Sequence, residues 1–166
     1  MKLYIKKYLL FAGVLFCTSA FSQNVSINAL TQASGIVKKG KIVFFEVTIN
    51  NTDASLPVGV YKLKVQINIA DSVMAIQQKG HNLPTGWEII SNSNGVITIS
   101  NGKDMIAPYD ARTLLIALKG KKLGGPVIIS GKLNFSNGIS PGVDSGYINE
   151  DKPADNYSTS SCKVVK

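Results

Sequence analysis

The chain has 166 residues, with 18 Lys and Arg against 10 Asp and Glu, a net charge of +8, one histidine and two cysteines. A single imidazole excludes a His-rich metal centre and any pair of catalytic histidines. The basic residues are dispersed, without the arginine cluster and interleaved aromatics of a nucleic-acid interface, so no nucleic-acid partner is expected.

Residues 1–22 read as a signal peptide. Lys2, Lys6 and Lys7 make a basic start, Tyr8 to Phe16 is an apolar run, and Ala20-Phe21-Ser22 supplies the small residues of a cleavage site. The run falls short of the roughly 20 apolar residues a bilayer span needs, so no integral membrane segment is expected after leader removal. Cys17 offers lipidation as an alternative, but Phe16 stands where that processing wants a small residue. The rest, 23–166, suits one domain. Removing 22 residues leaves 144, and removing three leader lysines takes the charge from +8 to +5. A chain of this size buries about two thirds of its unfolded surface and needs no disulfide or metal to stay folded.

The first expected strand carries Val25, Ile27 and Ala29 in alternation with Asn24, Ser26 and Asn28. Ser34-Gly35 and Lys38 to Gly40 then punctuate the route into Lys41 to Thr52. There Val43, Phe45, Val47 and Ile49 fall every second residue, which predicts a central core strand. A turn-rich link with Pro57 and Gly59 follows. Leu63, Val65, Ile67 and Ile69 then face one way, with Lys62, Lys64, Gln66 and Asn68 facing the other, toward water. Asp71 to Gln78 fits an edge strand or a short helical turn equally well.

Gly80 to Gly86 is expected as loop and Trp87 to Ile90 as a short strand. Asn94-Gly95 marks a hairpin turn because both residues tolerate positive φ. Val96 to Ser100 returns, and Asn101-Gly102 ends it. After Pro108, Ala111 to Leu118 and Pro126 to Phe135 form two more strands around a Lys and Gly tip, with Gly131 marking a bulge or a close neighbour. Asn137 to Asn156 reads as a long loop, and Tyr157 to Val165 as the closing strand.

About eight or nine short strands, with no sustained helical period, predict an all-β fold: an antiparallel two-sheet immunoglobulin-like sandwich of about 7–9 strands. A jelly roll or barrel is the alternative connectivity. No internal repeat is visible.

Several segments carry a family resemblance. Gly40, the strand end Val47-Thr48-Ile49-Asn50-Asn51-Thr52, Leu83-Pro84-Thr85-Gly86-Trp87, Ile106-Ala107-Pro108 before Thr113-Leu114, and Asp151 to Ser158 occur in an order that resembles the immunoglobulin-like conserved repeat of bacterial surface and adhesin-like proteins. Lys39 replaces the proline common in that family, and the unit occurs once instead of in tandem. The resemblance implies a non-enzymatic scaffold or binding module with a structural or adhesive role at the cell envelope or surface. Its partner would be a protein or glycan, and its address secreted, periplasmic or cell-surface.

For catalysis the residues offer isolated candidates only. His81 lies in a loop with no Gly-x-Ser-x-Gly elbow in the chain, and Cys162 falls in an expected strand without a base. No catalytic residue is assigned. Asp144, Glu150, Asp151 and Asp155, with Asn156, gather oxygen ligands of the kind Ca²⁺ uses, although the same residues cap turns and match no EF-hand. Trp87 reads as a core anchor, or else with Tyr109 and Tyr147 as a glycan-binding surface. The runs at Lys38, Lys39 and Lys41, and at Lys119, Lys121 and Lys122, read as solvated tips or as contacts for anionic glycans or lipid headgroups.

Overall fold

The computed structural model describes residues 25–69, 72–135 and 153–166. The leader, Cys17, Asp144, Glu150, Asp151 and Tyr147 lie outside these residues. In chain order the strands are β1 (Val25–Thr31), β2 (Ile36–Lys38), β3 (Ile42–Asn51), β4 (Leu63–Ile69), β5 (Met74–Ile76), β6 (Glu88–Ser93), β7 (Val96–Ser100), β8 (Ala111–Gly120), β9 (Gly124–Phe135) and β10 (Tyr157–Val165). They form a four-stranded sheet, β1-β3-β8-β5, and a six-stranded sheet, β2-β10-β9-β4-β7-β6. Every pairing is antiparallel except that of β2 with β10.

The alternation in β3 dictates the packing. Val43, Phe45, Val47 and Ile49 all point inward and are buried. Phe45 lies opposite Ile116 and Val47 opposite Leu114 on β8. From the facing sheet Leu63, Val65, Ile67, Ile97, Ile99, Ile129 and Leu133 complete the core. Each such side chain contributes about 1.5–3 kcal/mol by leaving water.

Four sequence expectations resolve in the structure. Asp71 to Gln78 contains a three-residue edge strand, β5, paired with β8. The strand expected at Trp87 to Ile90 begins one residue later and runs on to Ser93, with a register shift between Ile89 and Ser91. Gly131 lies in regular pairing with Ser158 on one side and Ile67 on the other, so it marks no bulge. A Cβ there would stand 3.0 Å from Ile27 Cδ1, which makes it the close-neighbour case. The segment read as punctuation before β3 contains β2, too short for its three residues to show a period.

At one side of the sandwich the two sheets are stitched together. β1 is an edge strand, and its outward N–H groups at Ala29 and Thr31 donate to the hydroxyls of Ser158 and Ser160 on β10, each at 3.0 Å. Thr31 Oγ1 also lies 2.9 Å from Ser160 Oγ. The two serines sit two residues apart, so the pleat presents both to the same strand. They satisfy donors that would otherwise template pairing with another chain.

Candidate functional site

Three loops meet at one end of the sandwich: the β3–β4 link, the segment before β6, and the β7–β8 link. Two asparagines at strand ends organise them. Asn101 follows β7 and is 0% exposed. Its Nδ2 donates to Gly59 O at 2.8 Å and Asp104 O at 2.7 Å, while its Oδ1 accepts from Leu63 N at 3.0 Å. Asn51 closes β3 at 1% exposure. Its Nδ2 donates to the carbonyls of Leu56, Ile106 and Ala107 at 2.8, 3.1 and 3.1 Å. Loop carbonyls and amides that burial would orphan are thereby satisfied by side chains. Val58 and Ile106 exchange a pair of backbone hydrogen bonds across the same end.

An ion-pair chain locks the outer layer. Trp87 Nε1 donates to Asp104 Oδ2 at 2.7 Å. Arg112 Nε donates to the same oxygen at 2.7 Å, and its NH1 reaches Asp110 Oδ2 at 2.6 Å. Hydrogen bonds donated to Asp104 first, then Asp110, hold the guanidinium pKa well above its ordinary value. The Arg112 hydrogen bond in turn holds the Asp110 carboxyl below the usual carboxylate range. Arg112 thus braces both ends of the 104–110 loop with one planar fork.

The brace leaves two large side chains outside. Tyr109 is 74% exposed and Met105 is 56% exposed. Tyr109 has φ 58 and Tyr61, on the neighbouring loop, has φ 57. Left-handed backbone at an aromatic residue persists only where its surroundings over-determine it, and such residues gather at binding sites.

The sequence-predicted site residues separate in the structure. Trp87 is 7% exposed, so the glycan-platform reading of this residue is corrected: its ring is part of the core and only its N–H faces the polar loop. Tyr109 stands free at the loop end, and Tyr147 lies outside the described residues. Of the calcium candidates only Asp155 is described. Its Oδ1 and the Oδ1 of Asn156 are buried without a hydrogen-bond partner among the described residues. Among the described residues no three His, Cys, Asp or Glu side chains gather as a metal site.

His81 fills a gap in the sheet. Beyond β5 the chain leaves β8, and the orphaned Ala117 N–H donates to His81 Nδ1 at 3.2 Å, while Nε2 donates to Gln77 O at 2.9 Å. Burial lowers the pKa of this imidazole. Both ring nitrogens are occupied by backbone, so the ring serves as a structural clamp. Cys162 is buried in β10, and burial pushes its thiol pKa up.

Asn51, Asn101, Asp104 and Arg112 were not legible as site residues. The Asn101-Gly102 pair signals a turn, but nothing local says that the amide reaches Gly59, 42 residues away in sequence.

The architecture recurs in solved structures. The CARDB domain of a Pyrococcus furiosus protein, solved in complex with di-metal ions, matches with a TM-score of 0.54 at 14% identity, covering 87% of this chain and 90% of that one. The fold is that of an immunoglobulin-like domain. The solution structure of the same Pyrococcus domain aligns at a TM-score of 0.50 and 15% identity, over 86% of this chain and 97% of that one. A cohesin module from a Clostridium perfringens family 33 glycoside hydrolase aligns at 0.54 and 13% identity, over 84% of this chain and 97% of that one. No family model and no curated protein matches the immunoglobulin-like chain. Among the described residues no helix is long and apolar enough to cross a membrane.

Proposed function

We propose that the chain is an exported, non-enzymatic immunoglobulin-like accessory module with a structural or adhesive role at a bacterial cell envelope or surface. The carrying observation is the rigid loop end, where buried Asn51 and Asn101 and the Arg112 brace hold Tyr109 and Met105 out toward solvent. Exposed aromatic and Met side chains on a preordered frame are the composition of a protein-contact hot spot. The use of the same fold as a module of a glycoside hydrolase supports an accessory role.

The test has two arms. Fractionation of the producing cell should recover the chain outside the cytoplasm and lacking residues 1–22. The purified chain should be retained on envelope fractions, and replacing Tyr109 and Met105 by Ala should weaken retention about tenfold. A cytoplasmic chain with its leader intact, or retention indifferent to both substitutions, defeats the proposal.

One observation favours a calcium-binding role beside this. Asp155 Oδ1 and Asn156 Oδ1 are buried acceptors with no donor among the described residues. A hard cation satisfies such oxygens. Calcium should then raise the thermal midpoint of the chain and lose that effect in Asn156→Ala; an unchanged midpoint removes the reading.

A further inference from the structure

The two sides of the sandwich where sheet edges meet are built differently. At one, the Ser158 and Ser160 hydroxyls close β1 onto β10. At the other, β5 and β6 diverge around an open cleft of about 400 Å³. Ile69, Met74 and Ile76 form its narrow apolar floor, and Gln78, Asn92, Asn94 and Lys121 stand among its polar walls. The cleft borders the C-terminal end of β4, whereas the loop end surrounds the start of that strand.

The walls are fixed by backbone. Asn94 has φ 52 and Gly95 φ 75, as the tight β6–β7 turn requires. Ile69 N donates to Gly95 O at 2.8 Å, and a Cβ on Gly95 would stand 2.6 Å from Ile69 O, so glycine is what lets this turn seat against β4. On the facing wall Lys121 N donates to Val73 O at 2.7 Å. Asn92 Nδ2 donates to Gln77 O at 2.8 Å, tying β6 to the β5 side. The side chains of Gln78, Asn94 and Lys121 make no hydrogen bond or ion pair among the described residues.

The wall chemistry selects a ligand class. Each carboxamide offers both donors and an acceptor, and so does each sugar hydroxyl. An inorganic anion accepts only, and can use just the donor half of each carboxamide, leaving the amide oxygens of Gln78 and Asn94 without a role. An apolar ligand would cover the unpartnered amides of Gln78 and Asn94 without satisfying them. Lys121 adds one cation, and the described lining residues include no carboxylate. The volume lies within the range of small-ligand sites. We infer that the β5–β6 cleft binds a sugar bearing a carboxylate, of the hexuronate class, with Lys121 pairing the carboxylate and Gln78, Asn92 and Asn94 bonding the ring hydroxyls. This is independent of the loop-end reading, since Tyr109 and Lys121 belong to opposite ends of the sandwich.

The test is a nuclear magnetic resonance titration of the purified chain with galacturonate, galactose and sulfate in parallel. Galacturonate should shift the side-chain amide signals of Gln78, Asn92 and Asn94 saturably, and galactose should bind the same groups about tenfold more weakly. Lys121→Ala should bring galacturonate down to the galactose level, and Asn94→Ala should weaken both sugars. Tyr109→Ala should leave both sugar affinities unchanged. Saturable shifts with neither sugar overturn the inference. So do sulfate shifts that match those of galacturonate, which would mark simple anion pairing by a lysine. A Lys121→Ala chain with an unchanged thermal midpoint and unchanged galacturonate affinity also overturns it.

Discussion

Replacing Asn101 by Ala probes the loop end most directly. The side chain is wholly buried and makes three hydrogen bonds: to Gly59 O, to Asp104 O and from Leu63 N. Each net bond contributes about 1 kcal/mol, and the Leu63 N–H, left without an acceptor, adds a desolvation cost of about 1–3 kcal/mol. The expected loss is therefore about 4–6 kcal/mol, and for a domain of this size it lowers the thermal midpoint by about 15–20 °C. Urea unfolding followed by Trp87 fluorescence measures it, with an unchanged dependence on urea showing that the unfolded state is not altered. Hydrogen exchange should quicken at Tyr61, Leu63 and Asp104, the three segments the amide joins. A loss under about 1 kcal/mol would refute the claim that Asn101 organises these loops.

Stability should also fall as pH drops below about 6.5, the ordinary histidine value. Burial depresses the folded-state pKa of His81, so below that pH the unfolded chain takes up a proton that the native clamp refuses. The contribution is whole above the unfolded pKa and disappears as pH approaches the depressed folded value. Asp53 and Asp110 also have lowered pKa values, but they act near and below the ordinary carboxylate value of 3.8, so a decline starting near 6.5 is assigned to His81. Thermal midpoints across pH should show it in the parent chain and not in His81→Ala. Arg112→Lys keeps the charge but cannot reach Asp104 and Asp110 with one fork; chemical denaturation should show a loss of about 1 kcal/mol, with faster exchange from Lys103 to Tyr109. Gly131→Val should cost about 2 kcal/mol by calorimetry, because a Cβ would meet Ile27 Cδ1 at 3.0 Å and a branched side chain forces Ile27 aside.

The fold was largely legible because period-two alternation survives wherever one face is buried. Phe45, Val65 and Leu114 announce their burial by spacing alone, and all three are wholly inaccessible. Elements of three residues, such as β2 and β5, are not legible in this way, since they hold too few side chains to display a period. The site was less readable. Trp87 as a core anchor follows from its type, but its hydrogen bond to Asp104 depends on how two loops fold against each other. Tyr109 was picked out by its place in a loop. Lys121 was noted within a basic turn, yet its position across the cleft from Asn94 requires two sheets to be assembled first. Side-chain reach across long sequence separations leaves no local trace in composition or spacing.

The stitched seam bears on how the molecule emerges from the ribosome. Among the described strands β10 comes after all the others it pairs or packs with, yet it lies inside its sheet, between β2 and β9. Until β10 has been added, β2 has no strand to pair with among the described residues, and the outward N–H groups of β1 at Ala29 and Thr31 lack the serine hydroxyls that cap them. A nascent chain can therefore gather its early strands but cannot close them. Closure waits for a clasp made after the strands it fastens.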